Sequence, residues 1–319
     1  MEKNSEKKGK KGLLFVILIV LTGLVVFTII VMAANSRKPD RITLGAFDKN
    51  VKGTAFIRAN QMLVEQMVHN WLPNDLFWPT ALLDNMPNFQ MGMLEVARYN
   101  TRVLRDNLSR MRTTDRLDAS AEGAFTALAN DPMKWWFPSA ESKWKLANKN
   151  LLAFYQTLLE GKSQFYPRAD NLVQLLDQYI SLMGGVNTRL VNAPHDLDEV
   201  LHVDEEESKG SPKPAKKVDT AIPWYLIDDN FYYAQGVAYA LYESFKAIRI
   251  DFIGVLKDKN SVKLVDKIIE NLWRCNFEPL IVFNGKPGSI FANHSLNLSG
   301  IFNDGRQKIN SLIVSLKQG

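Results

Sequence analysis

The chain has 319 residues, 46% hydrophobic and 23% charged, which suits a globular protein with a sizeable core and room for about two domains at roughly 150 residues each. The net charge of +5 does not point to nucleic acid: residues 1–12 carry five Lys and two Glu, so most of the excess sits in a short basic tail and the body is near neutral. A single cysteine, Cys275, excludes an intramolecular disulfide framework and any cysteine-based metal cluster, and reads as a small buried hydrophobe on a helix.

Residues 13–34, LLFVILIVLTGLVVFTIIVMAA, hold no charge. As a helix they span about 33 Å at 1.5 Å per residue, matching a hydrocarbon core of roughly 30 Å. Lys3, Lys7, Lys8, Lys10 and Lys11 precede the run, and Arg37, Lys38 and Arg41 follow it. The bias places residues 1–12 in the cytoplasm and the body outside. Val31-Met32-Ala33 resembles a small-residue cleavage site, but the run exceeds the 7–15 apolar residues of a typical cleaved signal peptide, so an uncleaved signal anchor is expected. Gly12 and Gly23 form no close-packing pair that would dimerise the helix in the bilayer.

Residues 35–57 read as a juxtamembrane linker or a first extended segment. Helical spacing follows. Leu94, Ala97, Thr101, Leu104, Leu108 and Met111 step by three and four, as do Trp144, Ala147, Leu151, Phe154 and Leu158. Leu172, Leu175, Tyr179, Leu182 and Val186 continue the pattern, and 229–257 carries it longest, through Ala234, Ala238, Leu241, Phe245, Ile248, Phe252 and Val255. Such a period puts the apolar side chains on one stripe of each helix, as in bundle packing. Ser139 after Pro138 is an N-cap signal with Glu141 in the first turn; Asp170, Asp228 and Asn260/Ser261 mark further starts. Two more helices are expected at 262–273 and about 305–317. The fold class is all-α, with one short β-hairpin possible over 280–292, where LIVF and SIFA flank NGKPG. Residues 199–219 place Asp204–Glu207 before four Lys, two Pro and a Gly, a charged flexible linker. It divides a proximal helical unit, 35–198, from a distal one, 220–319, although the two can share one bundle with the linker as a crossover.

No motif for phosphate, dinucleotide, nucleophilic or metal chemistry occurs. His69, His195, His202 and His294 lack metal-ligand spacing, and Asp196-Leu-Asp198-Glu199 lacks the glycine and terminal Glu of a calcium loop, so no metal and no cofactor is expected. His294-Ser295 are adjacent and would not face each other as base and nucleophile. Glu141 with Asp84 or Glu95 could meet as paired carboxylates, but no spacing demands it, and Asp84 reads better as a turn acceptor.

The aromatic clusters depart from a plain bundle. Trp71, Trp78, Trp135, Trp136 and Trp144 crowd one region, the first four beside Pro: W-L-P, W-P and W-W-F-P. Proline forces defined loops there. Such side chains can fill a core, line a groove for peptide, glycan or a partner helix, or sit at a membrane interface. The absence of Lys and Arg from residues 69–94, and the apolar span upstream, weigh against the membrane reading. The candidate groove or interaction surface is Trp71, Asp75, Trp78, Asp84, Trp135, Trp136 and Glu141.

These same segments carry a resemblance. NWLPNDLFWP (70–79), LLDNMPNFQMGML (82–94), WWFPSAESKW (135–144), DDNFYYAQGVAYALYESFKAIRIDF (228–252) and NGKPGSIFANHSL (284–296) resemble a bacterial family catalogued as domain of unknown function 2333, with Asn70 standing where a Gly is expected. The resemblance implies a Gram-negative, inner-membrane-anchored protein with its body outside the cytoplasm, and no established activity or catalytic residue. The expectation is a single-pass periplasmic helical protein acting as a non-enzymatic envelope scaffold with an envelope protein as partner. The alternative is an envelope enzyme or binding protein for peptidoglycan, lipid or peptide, using a Trp/Pro-lined groove with carboxylates.

Overall fold

The computed structural model describes residues 2–44, 51–112, 114–192, 226–279, 281–285 and 292–318; the charged segment 199–219, with His195 and His202 near it, lies outside them. The described residues form an all-α fold. Helix α1 covers Glu2–Asn35, and its stretch Leu13–Asn35 is long and apolar enough to cross a membrane, with none of it buried in the body. Helices α2 (Thr54–His69), α3 (Asn85–Val103), α4 (Ala119–Leu128), α5 (Ala140–Leu159) and α6 (Ala169–Val191) follow, then α7 (Ile227–Asp251), α8 (Ile253–Asp258), α9 (Val262–Arg274) and α10 (His294–Lys317).

Helix α7 is the axis of the bundle. It packs most extensively on α3 and also meets α2, α6 and α9, while α10 closes over α6 and α9 and α4 with α5 covers α2. The stripes expected from the sequence are the buried ones: Trp144, Ala147, Leu151 and Phe154 on α5, and Ala234, Ala238, Leu241, Phe245 and Ile248 on α7, are shut off from solvent. On α6 the burial runs through Met183 in place of Leu182. Met111, the last member of the 94–111 stripe, is exposed because the helix ends sooner: α3 passes into a π turn over Leu104–Leu108, closed by the Ser109 amide on the Leu104 carbonyl at 3.0 Å.

A buried polar network fixes how four helices meet. Asn100 on α3 donates to Ser244 on α7 (2.9 Å) and Asn60 on α2 (3.2 Å), and accepts from the Tyr179 hydroxyl on α6. Asn60 donates in turn to Thr101 at 2.8 Å. Each of these groups would be costly to bury unpaired, so only one register of α2, α3, α6 and α7 satisfies them together.

Over 280–292, where a short hairpin is possible, the described residues hold one antiparallel bridge between Asn284 and Asn293, and 286–291 lie outside them. After the bridge the chain turns at once into α10, which Asn293 caps by accepting from the Leu296 amide at 2.9 Å. Helix α10 therefore begins eleven residues before the start expected at 305.

Candidate functional site

Two features of the body converge on the end of α1. The first is the segment after it. Ser36–Leu44 does not run free; it is strapped across α7 and α9. The Glu243 carboxylate, 1% exposed, accepts from the Ile42 amide at 3.0 Å, and the Lys246 ammonium bridges the Ile42 carbonyl (3.0 Å) and Glu243 (2.7 Å). The Tyr239 hydroxyl donates to the Asp40 carbonyl at 2.6 Å. The Arg41 guanidinium lies 3.6 Å from the centre of the Trp273 ring, and Lys38 pairs with Glu278 at 3.3 Å. Burial pushes the Glu243 carboxyl up from its ordinary value, with the Lys246 and Ile42 bonds opposing, and burial pushes the Lys38 ammonium down against the pull of Glu278. Asn70 at the end of α2 donates to Asn35 at the end of α1, 2.9 Å. The strap was not legible beforehand: its partners lie some two hundred residues downstream, as with Ile42 and Glu243, 201 apart.

The second feature is the pair of Pro-containing loops. Residues 72–83 and 131–139 are laced together: the Trp71 indole donates to the Pro132 carbonyl (2.9 Å), and Asn74 donates to the Lys134 carbonyl (3.2 Å) and to Glu141 (3.1 Å). The Trp78-Pro79 and Phe137-Pro138 bonds are cis.

The candidate residues separate here. Trp71 is core, 4% exposed and edge-on to the fully buried Trp144. Glu141 sits in the first turn of α5 behind Ser139, whose side chain caps that helix as expected. Asp84 is the N-cap of α3, accepting from the Asn85 amide at 2.8 Å. Trp78, Trp135 and Trp136 are exposed at 45%, 51% and 63%, and Asp75 is half-buried. So Trp71, through Pro132, and Glu141, through Asn74, tie the loops together at their base, with Asp75 next to Asn74 in the chain, and the other three Trp are left bare on the tips. The tips hold residues that sequence reasoning did not single out: Leu76, Phe77, Leu82, Met133 and Phe137, the last 85% exposed. Trp78 has one ring neighbour of note, Phe27 within the apolar stretch of α1, with centroids 5.9 Å apart. Beside the loops a cavity of about 230 Å³ is lined by Pro39, Gln66, Met67, His69, Met86 and Gln90, without the exposed Trp side chains.

A carboxylate group stands at the N-termini of α3 and α7. Asp229, which accepts from Asn88 at 2.7 Å, is pushed up to about 6 by burial and then by the neighbouring charges of Asp228 and Asp84; Asp228 is raised by burial and by Asp84. Among the described residues no group of three or more His, Cys, Asp or Glu could hold a metal ion. Cys275 is fully buried at the end of α9, and burial pushes its thiol up to about 12.

Comparison with known proteins finds no match among curated proteins and none among solved structures. A family described as uncharacterized proteins conserved in bacteria (DUF2333) matches residues 8–319, nearly the whole length from the basic tail through the strap and both aromatic loops to the end of α10, and the chain belongs to that family.

Proposed function

We propose that the chain is a single-pass inner-membrane protein whose helical body is held in a fixed pose on the periplasmic side, serving as a non-enzymatic envelope scaffold that binds another protein. The observation that carries this reading is the strap. A simple tether would need neither a backbone amide bonded to a buried carboxylate nor a stacked Arg; Ser36–Leu44 has both, in Ile42 on Glu243 and Arg41 on Trp273, so the body cannot turn freely about its anchor. A fixed pose serves a protein that must present a particular face to a membrane-bound partner. The uncharged run 13–34 with lysines before it supports the anchor and its orientation. The groove alternative has less behind it, because Trp71 packs in the core and Asp84 is taken up as a helix cap.

Two measurements test this. A reporter fused after residue 319 is expected to be active in the periplasm; activity confined to the cytoplasm overturns the orientation. Crosslinking in native membranes followed by pulldown of the full chain is expected to enrich a specific envelope protein; recovery of nothing above background overturns the scaffold role.

A further inference from the structure

We infer that the two Pro-containing loops, residues 76–82 and 133–137, are a second membrane attachment, inserted into the leaflet that α1 leaves on its way to the body. The inference rests on the anchor proposed above and adds a lipid contact to it. The occupant of the bare aromatic tips follows from where they stand. Phe27, which touches Trp78, lies eight residues before the end of α1, about 12 Å along the helix axis at 1.5 Å per residue. With Leu13–Asn35 spanning a hydrocarbon layer of roughly 30 Å, a side chain packed against Phe27 stands inside that layer and not above it. The Asn35–Asn70 bond and the strap fix this relation between α1 and the body, so the loop cannot simply swing clear.

The loops are built for that depth. Leu76, Phe77, Trp78 and Leu82 are exposed together, far beyond the isolated apolar residues a soluble surface shows. Loop 76–82 meets much of its own backbone need in a short turn: the Ala81 amide bonds Phe77, Leu82 bonds Pro79 and Leu83 bonds Thr80, at 3.0, 3.1 and 2.9 Å, and Pro79 has no amide to satisfy. Asp75 and Asp84 bracket it at headgroup level. The second loop, laced to the first through Asn74, offers Trp135, Trp136 and Phe137 with Lys134, the composition of an interfacial aromatic belt. With Lys134 as the one cation in either loop, apolar burial and not headgroup charge drives the contact, which removes the objection raised by the absence of Lys and Arg.

The test uses the full chain in phosphatidylcholine vesicles, with nitroxide labels on single introduced cysteines. Cys275 is fully buried and stays, and wild-type protein gives the labelling blank. Phe77→Cys and Phe137→Cys probe the loops, Val20→Cys probes α1, and Lys162→Cys, beyond the far end of α5, is the aqueous control. All are exposed positions, so folding is spared. Labels at 77 and 137 are expected to show a several-fold higher ratio of oxygen to nickel-chelate accessibility than 162, resembling 20. If 77 and 137 match 162 while 20 reports lipid, the loops are not inserted and only this inference falls. If 77 and 137 are shielded from both relaxants, protein covers them and the inference also falls. If 20 matches 162, the anchor itself is wrong.

Discussion

Gly92 and Gly236 face each other where α3 crosses α7, and neither helix could lie where it does if either residue carried a side chain. A Cβ on Gly236 would stand 1.9 Å from the Phe89 carbonyl oxygen, and one on Gly92 would stand 2.2 Å from that of Tyr233. Backbone cannot rotate away as a side chain can, so Gly92→Ala and Gly236→Ala should each cost at least about 3 kcal/mol, the upper end for overpacking a core. Gly185→Ala on α6 meets nothing within 4 Å and should gain up to about 1 kcal/mol from helix propensity. Thermal unfolding of the three variants checks this; equal melting behaviour would refute the close crossing. Neither glycine could be understood from its neighbours in the chain. QMGML and AQGVA show only a helix-weakening residue within helical spacing, and its purpose depends on a partner 144 residues away. The tryptophans teach the same lesson. W-L-P and W-P look alike, yet Trp71 finds a carbonyl and an aromatic edge while Trp78 finds Phe27 and is left uncovered by the body. Spacing sets side-chain direction on a helix and sets nothing in a loop.

At the scale of elements, α5, α6 and α7 were legible because one buried stripe against one exposed face leaves a period in the sequence. Helix α2 was not: Ala55, Phe56 and Ile57 are consecutive and all buried, and the segment before them reads as linker. The first half of α10, HSLNLSGIFND, hides its stripe among small and polar residues. Helix α7 also carries two buried acids whose roles are joints between elements. Asp251, 3% exposed, accepts from the Phe56 amide at 2.7 Å at the start of α2, and burial pushes its carboxyl from 3.8 up to about 6 despite those amides. A raised folded value means that folding takes up a proton between those limits. The contribution is full below about pH 4 and is lost as pH rises through 6, to a total of about 3 kcal/mol at 1.36 kcal/mol per unit. Asp251→Asn should flatten this slope, so the stability difference between wild type and variant should change between pH 4 and 7; a difference independent of pH would refute it. Glu243 locks the strap. Glu243→Ala removes a buried charged acceptor, so the Ile42 amide should exchange with solvent roughly 10- to 100-fold faster, as a bond of about 1.5–3 kcal/mol implies. Unchanged exchange at Ile42 would mean that the strap is held by Arg41 and Trp273 instead.

For the molecule as a whole, the decisive contacts join residues before the 199–219 segment to residues after it. Helix α7 presents its buried side chains in more than one direction: Phe231, Ala238 and Phe245 are fully covered, and so are Gln235, Glu243 and Ser244. That surface is filled by α2, α3 and α6 as well as by α9, and α6 is further covered by α10. A piece comprising 220–319 alone would expose most of α7 and the inner face of α10, leaving too little core for so short a chain. It should therefore lack cooperative unfolding when produced by itself. A protease site placed within 199–219 of the full chain offers the sharper comparison. After cleavage the two pieces should stay associated through chromatography, with the helical signal of the intact protein, because the α3–α7 and α6–α10 contacts are not broken by cutting the connection. Separate pieces that each melt cooperatively would show instead that the sequence's proximal and distal units are independent domains. In the bundle as it stands, the strap after α1 lies on α7 and α9 while the aromatic loops belong to the region before α5, so the placing of the body relative to α1 depends on both halves remaining joined.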